Sequence, residues 1–120
     1  MDEPLAWKNG RELPFSQLAL PVWDLGVVAG ASITEMARTY HHQPFRLSQH
    51  LQRLQASCTR LGFETPFSVH EVAAAAQRLV LHNTAFIDEK DDLGIVVFVT
   101  AGANRTYLGT GNLPGGTTAV

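Results

Sequence analysis

Arg53 is the first side chain here whose type and setting suit the binding of an anion. It stands in Leu51-Gln-Arg-Leu54, beside two leucines of an apolar stripe at helical spacing. A planar guanidinium can take a carboxylate or phosphate through two donors. The spacing by itself favours a plainer arrangement, an arginine that lays its stem along the stripe and keeps its head in water. A second candidate is the segment Thr100-Ala-Gly-Ala-Asn-Arg-Thr-Tyr107, whose glycine and asparagine allow a sharp turn after an apolar run and from which Arg105 and Tyr107 would project. An incidental arginine on a surface loop fits that segment equally well. The third is Ala31 to Tyr40. Read as extended chain, it puts Thr34, Met36 and Arg38 on one face and Ile33, Glu35 and Ala37 on the other. Neither face is wholly apolar, which is unusual for a strand that only covers a core.

Other reactive side chains offer less. No two of the five histidines have the three- or four-residue spacing that stacks metal ligands on a helix, so no metal site is expected. Cys58 lies on the same apolar stripe as Leu54, where a free cysteine acts as a small hydrophobe. As the only cysteine it forms no intrachain disulfide. The glycines of Gly109 to Gly116 match no phosphate loop, since no helix follows them.

The elements that must position these residues are partly legible. Leu5–Lys8 and Arg11–Leu13 flank Asn9-Gly10, a pair that tolerates the positive φ of a tight hairpin. Val22 to Gly30 reads as a turn leading into the strand of Thr34. His41-His-Gln-Pro44 turns the chain, and Phe45 to Leu47 can pair back. Ser48 is a good N-cap for a helix over 48–61 with Leu51, Leu54, Cys58 and Leu61 on its buried stripe, and Gly62 ends it. Ser68-Val-His-Glu71 has capping-box form and opens a second helix over 69–82, with Val69, Val72, Ala76, Leu79 and Val80 facing inward. Ile95-Val-Val-Phe-Val99 reads as a central strand buried on both faces. The fold class is therefore α+β, an antiparallel sheet with two helices on one face.

Composition sets the outer bounds. The 120 residues are 45% hydrophobic and 17% charged, which suits one globular domain. The net charge of −2 argues against nucleic acid or an anionic membrane as partner. No apolar run reaches the roughly 20 residues of a membrane span, and the acidic start lacks signal-peptide character, so a cytoplasmic protein is expected. The final Thr117-Thr-Ala-Val120 begins a β-prone run. It is either a frayed tail or the start of a connection to a further lobe, which divides the chain into 1–116 and 117–120.

Four stretches together resemble the N-terminal lobe of the class IV (fold-type IV) aminotransferases. They are the Asn9-Gly10 hairpin; Asp24 to Glu35 running into Arg38-Thr-Tyr40; Pro44 to Leu54 with Ser57; and the strand ending in Ala101-Gly102-Ala-Asn-Arg105. His50-Leu-Gln-Arg-Leu54 followed by Ser57 is the strongest. The resemblance implies that Arg53 binds the phosphate of pyridoxal 5'-phosphate and that Thr34, Met36 and Arg38 line the substrate pocket. It also implies that Arg105 and Tyr107 help to hold the carboxylate of an amino-acid substrate, in a homodimer. Branched-chain transaminases lack the loop arginine, so D-amino-acid transaminases and aminodeoxychorismate lyases are closer in pattern. Where the family often has a large aromatic residue this chain has Thr34, which implies a wider pocket or another substrate. The family's catalytic lysine belongs to a second lobe, and neither Lys8 nor Lys90 is placed for that role. This chain alone is thus expected to be inactive. The alternative is a stand-alone module of the same fold that binds a ligand or partner without catalysis.

Overall fold

A computed structural model of the chain describes residues 2–104 and 118–120. In chain order it contains β1 (Leu5–Lys8), β2 (Arg11–Pro14), a one-turn helix α1 (Leu25–Val28), β3 (Ser32–Tyr40), β4 (Gln43–Phe45), α2 (Leu47–Leu61), α3 (Val69–Asn83), β5 (Gly94–Thr100) and β6 (Thr118–Ala119). The six strands form one sheet in the order β2-β1-β6-β5-β3-β4, every pairing antiparallel.

Local chemistry explains most boundaries. Asn9 and Gly10 take φ of 49° and 88°, the left-handed pair that a two-residue hairpin requires. Ser68 accepts from the Glu71 N–H at 3.1 Å while the Glu71 carboxylate accepts from the Ser68 N–H at 2.7 Å, so the expected capping box is complete. Gly62 ends α2 at φ 72°, and the Phe63 N–H closes back on the Cys58 carbonyl at 2.9 Å.

Both helices pack on one face of the sheet. Leu47, Leu51, Leu54 and Cys58 of α2 join Val72, Ala75, Ala76, Leu79 and Val80 of α3 in a single buried cluster. Trp7, Ala37, Ile95, Val97 and Val99 of the strands complete it. Fully burying each of the larger aliphatic side chains stabilises by about 1.5–3 kcal/mol. Trp7 meets Phe67 edge to face with ring centroids 5.0 Å apart, which ties the first hairpin to the segment between the helices. At the far end of α3, Asn83 accepts from the Leu5 N–H at 2.8 Å and donates to the Leu5 carbonyl at 2.9 Å, standing in for a strand neighbour.

The structure corrects four expectations. Helix α2 starts at Leu47 rather than after Ser48: Arg46 turns the chain at φ 54° and offers no side-chain cap, which brings Leu47 into the buried stripe. Strand β4 therefore ends at Phe45. Leu61 is 62% exposed, because the helix ends before the stripe returns to the sheet there. The turn expected within 22–30 is there and includes the helical turn α1, capped by Asp24, whose carboxylate accepts from the Gly26 N–H at 2.7 Å. Strand β5 is central but, among the described residues, covered fully on one face only. Ile95, Val97 and Val99 are buried, whereas Val96 is 41% exposed. The two residues of β6 are not frayed: they lie buried between β1 and β5.

Candidate functional site

Strand β3 alternates as its sequence requires. Glu35, Ala37 and Thr39 point under the helices, and Thr34, Met36 and Arg38 point to the open face. Across the strand pair, Thr34 stands opposite Phe98, Met36 opposite Val96 and Arg38 opposite Gly94. The open face is thus a floor of methyl and phenyl groups with one hydroxyl. Arg38 closes one end of it, stacked 4.1 Å above the Tyr40 ring and donating from Nε to the Thr39 carbonyl at 3.0 Å. The Asp92 carboxylate lies 3.6 Å from its Nη2. Arg38 is therefore engaged with its own strand's end, while Thr34 and Met36 are unobstructed.

Arg53 reaches the sheet from the helix side. Its Nε and Nη2 both donate to Glu35, with Nε 3.0 Å from Oε2. His50, one turn earlier on α2, puts Nδ1 2.7 Å from Oε1 of the same carboxylate. Glu35 is 7% exposed. Hydrogen bonds from Arg53 hold its carboxyl below the usual carboxylate range, with a further contribution from His50, against the opposing effect of burial. An ionised carboxylate only accepts, so Nδ1 of His50 carries the proton in that bond. The same pairing raises the Arg53 guanidinium still further above neutrality. Although Glu35 takes one edge of the guanidinium, the Arg53 side chain remains 71% exposed. Arg46, Gln49, His50 and Arg53 line an open recess of about 380 Å³. Three of those four side chains are arginine or histidine, which is a setting for an anion.

A third cluster fixes residues 102–104, just after β5. The buried Asp24 accepts from the Thr100 hydroxyl at 3.1 Å as well as from the Gly26 N–H. The Leu25 N–H donates to the Gly102 carbonyl at 2.7 Å, and the Asn104 N–H to the Trp23 carbonyl at 2.8 Å. Position 26 must be glycine because a Cβ there would lie 2.7 Å from the Thr100 methyl. Asp24 thereby secures the chain immediately before Arg105. Arg105 and Tyr107 themselves lie outside the described residues.

Of the residues singled out in the sequence, Thr34, Met36 and Arg38 share one face, whereas Arg53 is bound to Glu35 on the other. Sequence reasoning missed Glu35, His50 and Asp24 as site residues. The one available signal was a carboxylate at position 35, an inward position of β3. Its partners lie 15 and 18 residues away on another element.

Comparison with known proteins agrees with this architecture. The sequence model of the family described as amino-transferase class IV matches residues 32–116. A probable branched-chain-amino-acid aminotransferase of Rickettsia typhi is 32% identical over 77 residues, which are 64% of this chain and 27% of the relative. A D-alanine aminotransferase of Bacillus licheniformis is 31% identical over 94 residues, 78% of this chain and 31% of the relative. Among solved structures, the branched-chain aminotransferase of Thermoproteus uzoniensis superimposes with a TM-score of 0.78 at 23% identity, covering 97% of this chain and 39% of that one. The chain spans less than two fifths of each of these proteins. On the match of its family model, which takes in both β3 and the Arg53 helix, this chain belongs to the class IV aminotransferase family.

Proposed function

We propose that the chain is the small lobe of a pyridoxal-phosphate-dependent aminotransferase or lyase acting on an amino acid, and that Arg53 binds the cofactor's phosphate. The observation that carries this reading is the Arg53 guanidinium itself. It is held by Glu35 along Nε and Nη2, yet its side chain is 71% exposed at a recess shared with Arg46 and His50. A phosphate dianion suits that donor set, which offers charge and N–H groups and keeps its one carboxylate underneath. When bound, pyridoxal phosphate supplies the electron sink for chemistry at the amino acid's α-carbon.

The residues of this chain do the rest by binding and orientation. Thr34 and Met36 form part of the floor against which a substrate side chain packs, and Arg38 bounds that floor. Arg105 and Tyr107 hold the substrate carboxylate, just beyond the segment that Asp24 secures. A hydroxyl at position 34 makes that part of the floor smaller than an aromatic ring would. The lobe takes in strand β6 at 118–119, which lies inside its sheet, and a second lobe contributes the catalytic lysine. The whole protein works as a cytoplasmic homodimer. No helix among the described residues is long and apolar enough to cross a membrane.

The test is substitution of two arginines on α2 in the full-length protein. Arg53→Ala should weaken cofactor binding by roughly 1.5–3 kcal/mol, about ten- to a hundredfold in Kd, the loss of a charge-assisted contact. Arg60, in the last turn of the same helix, is the control, and Arg60→Ala should leave affinity unchanged. Equal affinities for the two variants, read by titration with pyridoxal phosphate, would remove Arg53 from the site.

A further inference from the structure

We infer that Glu35 is a positioning residue for anion binding: it fixes the Arg53 guanidinium in one orientation before any anion arrives. This rests on the reading of Arg53 as the phosphate ligand and adds the residue through which that ligand is set. The geometry is specific. Both Glu35 oxygens receive Arg53, Oε2 from Nε at 3.0 Å and Oε1 from Nε at 3.2 Å and from Nη2, so the contact is a fork rather than a point. His50 Nδ1 donates to Oε1 at 2.7 Å and steadies the carboxylate from the same helix. Glu35 is backed by a paired strand, standing opposite Val97 in the β3–β5 ladder.

An arginine with a largely exposed side chain has many rotamers to lose when it binds, and that loss comes out of affinity. Glu35 removes it in advance. The carboxylate also repels an anion, but it lies beneath the guanidinium and is 7% exposed. Arg46 and His50 line the same recess and offset that repulsion. Occupying the Nε and Nη2 edge also leaves Nη1 as the group turned away from the carboxylate. Glu35 therefore decides which edge of the fork an anion meets. The arrangement differs from an ordinary surface ion pair in that its acid is buried while its base is not.

The experiment is a double-mutant cycle in the full-length protein, with pyridoxine 5'-phosphate as the probe. That compound carries the phosphate without the reactive aldehyde. Binding is measured by titration, and the probe's phosphorus resonance reports the phosphate environment. Glu35→Gln should weaken binding by about tenfold, the cost of one immobilised side chain, and move the bound resonance toward that of Arg53→Ala. In an Arg53→Ala background, Glu35→Gln should change nothing further. Binding by Glu35→Gln that matches or exceeds the parent, while Arg53→Ala is weak, overturns the positioning role and leaves the phosphate reading intact. Unchanged binding by Arg53→Ala overturns the phosphate reading itself. Should Glu35→Gln not fold, Arg53→Lys decides the matter, because it keeps the charge and loses the fork. Its affinity should fall toward that of Arg53→Ala, and parental affinity would show that charge alone suffices.

Discussion

Strand β3 has two unlike sides. Toward the helices, Glu35 and Thr39 are buried with every polar atom in use: Glu35 with Arg53 and His50, and Thr39 donating to Asp92 at 2.8 Å while accepting from the Leu93 N–H at 2.9 Å. Toward the other side, Met36 is 65% exposed and its cross-strand neighbour Val96 is 41% exposed. One face is finished by the chain's own helices. The other presents Met36 and Val96 to solvent among the described residues. The buried side therefore carries structure and the setting of Arg53, and the open side is the one to which the proposed function assigns the substrate.

The largest effect that would test this contrast is a truncation on each side. Leu51 is 2% exposed beneath the sheet, and Leu51→Ala should destabilise the chain by about 2–5 kcal/mol, the range for a buried leucine and its residual cavity. Met36→Ala should stay within about 0.5 kcal/mol in the 120-residue chain, as an exposed position does. Denaturant midpoints compare the two directly, and repeating them on the full-length protein sharpens the result. A Met36→Ala penalty that grows there would show that the open face is covered.

A middle-sized effect is expected at Thr39, which has no exposed surface. Thr39→Val keeps the shape but strips the Leu93 N–H of its acceptor and takes one of two donors from Asp92 Oδ1, which keeps the His42 N–H. Leaving such groups unmet costs about 1–3 kcal/mol. A neutral Thr39→Val in urea melts would show that water reaches this side of the strand after all.

The smallest effect is one of pH. Arg53 and His50 hold the folded Glu35 carboxyl below its unfolded value of about 4.3. Its contribution to stability is full above that unfolded value and is lost as pH falls through the depressed folded value. Thermal midpoints of the parent should therefore drop more than those of Glu35→Gln as the solution is taken below about pH 4.3. Parallel curves for the two proteins would place the linkage elsewhere.

Much of the fold was legible because its signals are local. Asn9-Gly10, the Ser68–Glu71 box, Gly62 and the period-two alternation of β3 each act within a few residues, and each appears as read. The apolar run at 95–99 was read as covered on both faces. The structure covers one, since sequence alone does not say which cover belongs to the same chain. Partners distant in sequence were not legible. Arg53 reaches Glu35 across 18 residues and Thr100 reaches Asp24 across 76, and only tertiary packing brings them together. The start of α2 was misplaced by Ser48, a good cap in isolation, because burial of Leu47 outweighs capping there.

Strand β6 governs the order in which such a sheet can be assembled. Among the described residues, the β1–β2 hairpin joins the remaining strands only through residues 118–120, by way of the Trp7–Val120 and Lys8–Ala119 pairings. Asn9 and Thr118, which meet at that seam, are 109 positions apart in sequence. A hairpin closes in roughly 1–10 μs, and helices of this length form faster still. Joining residues so distant must first meet the entropy of a very long loop before any contact rewards it. The hairpin and the helices can thus form early and separately, whereas the β3–β5 and β6 pairings both wait on the closure of long loops. The third strand of six, near the centre of the sheet, thus joins segments from opposite ends of the sequence given.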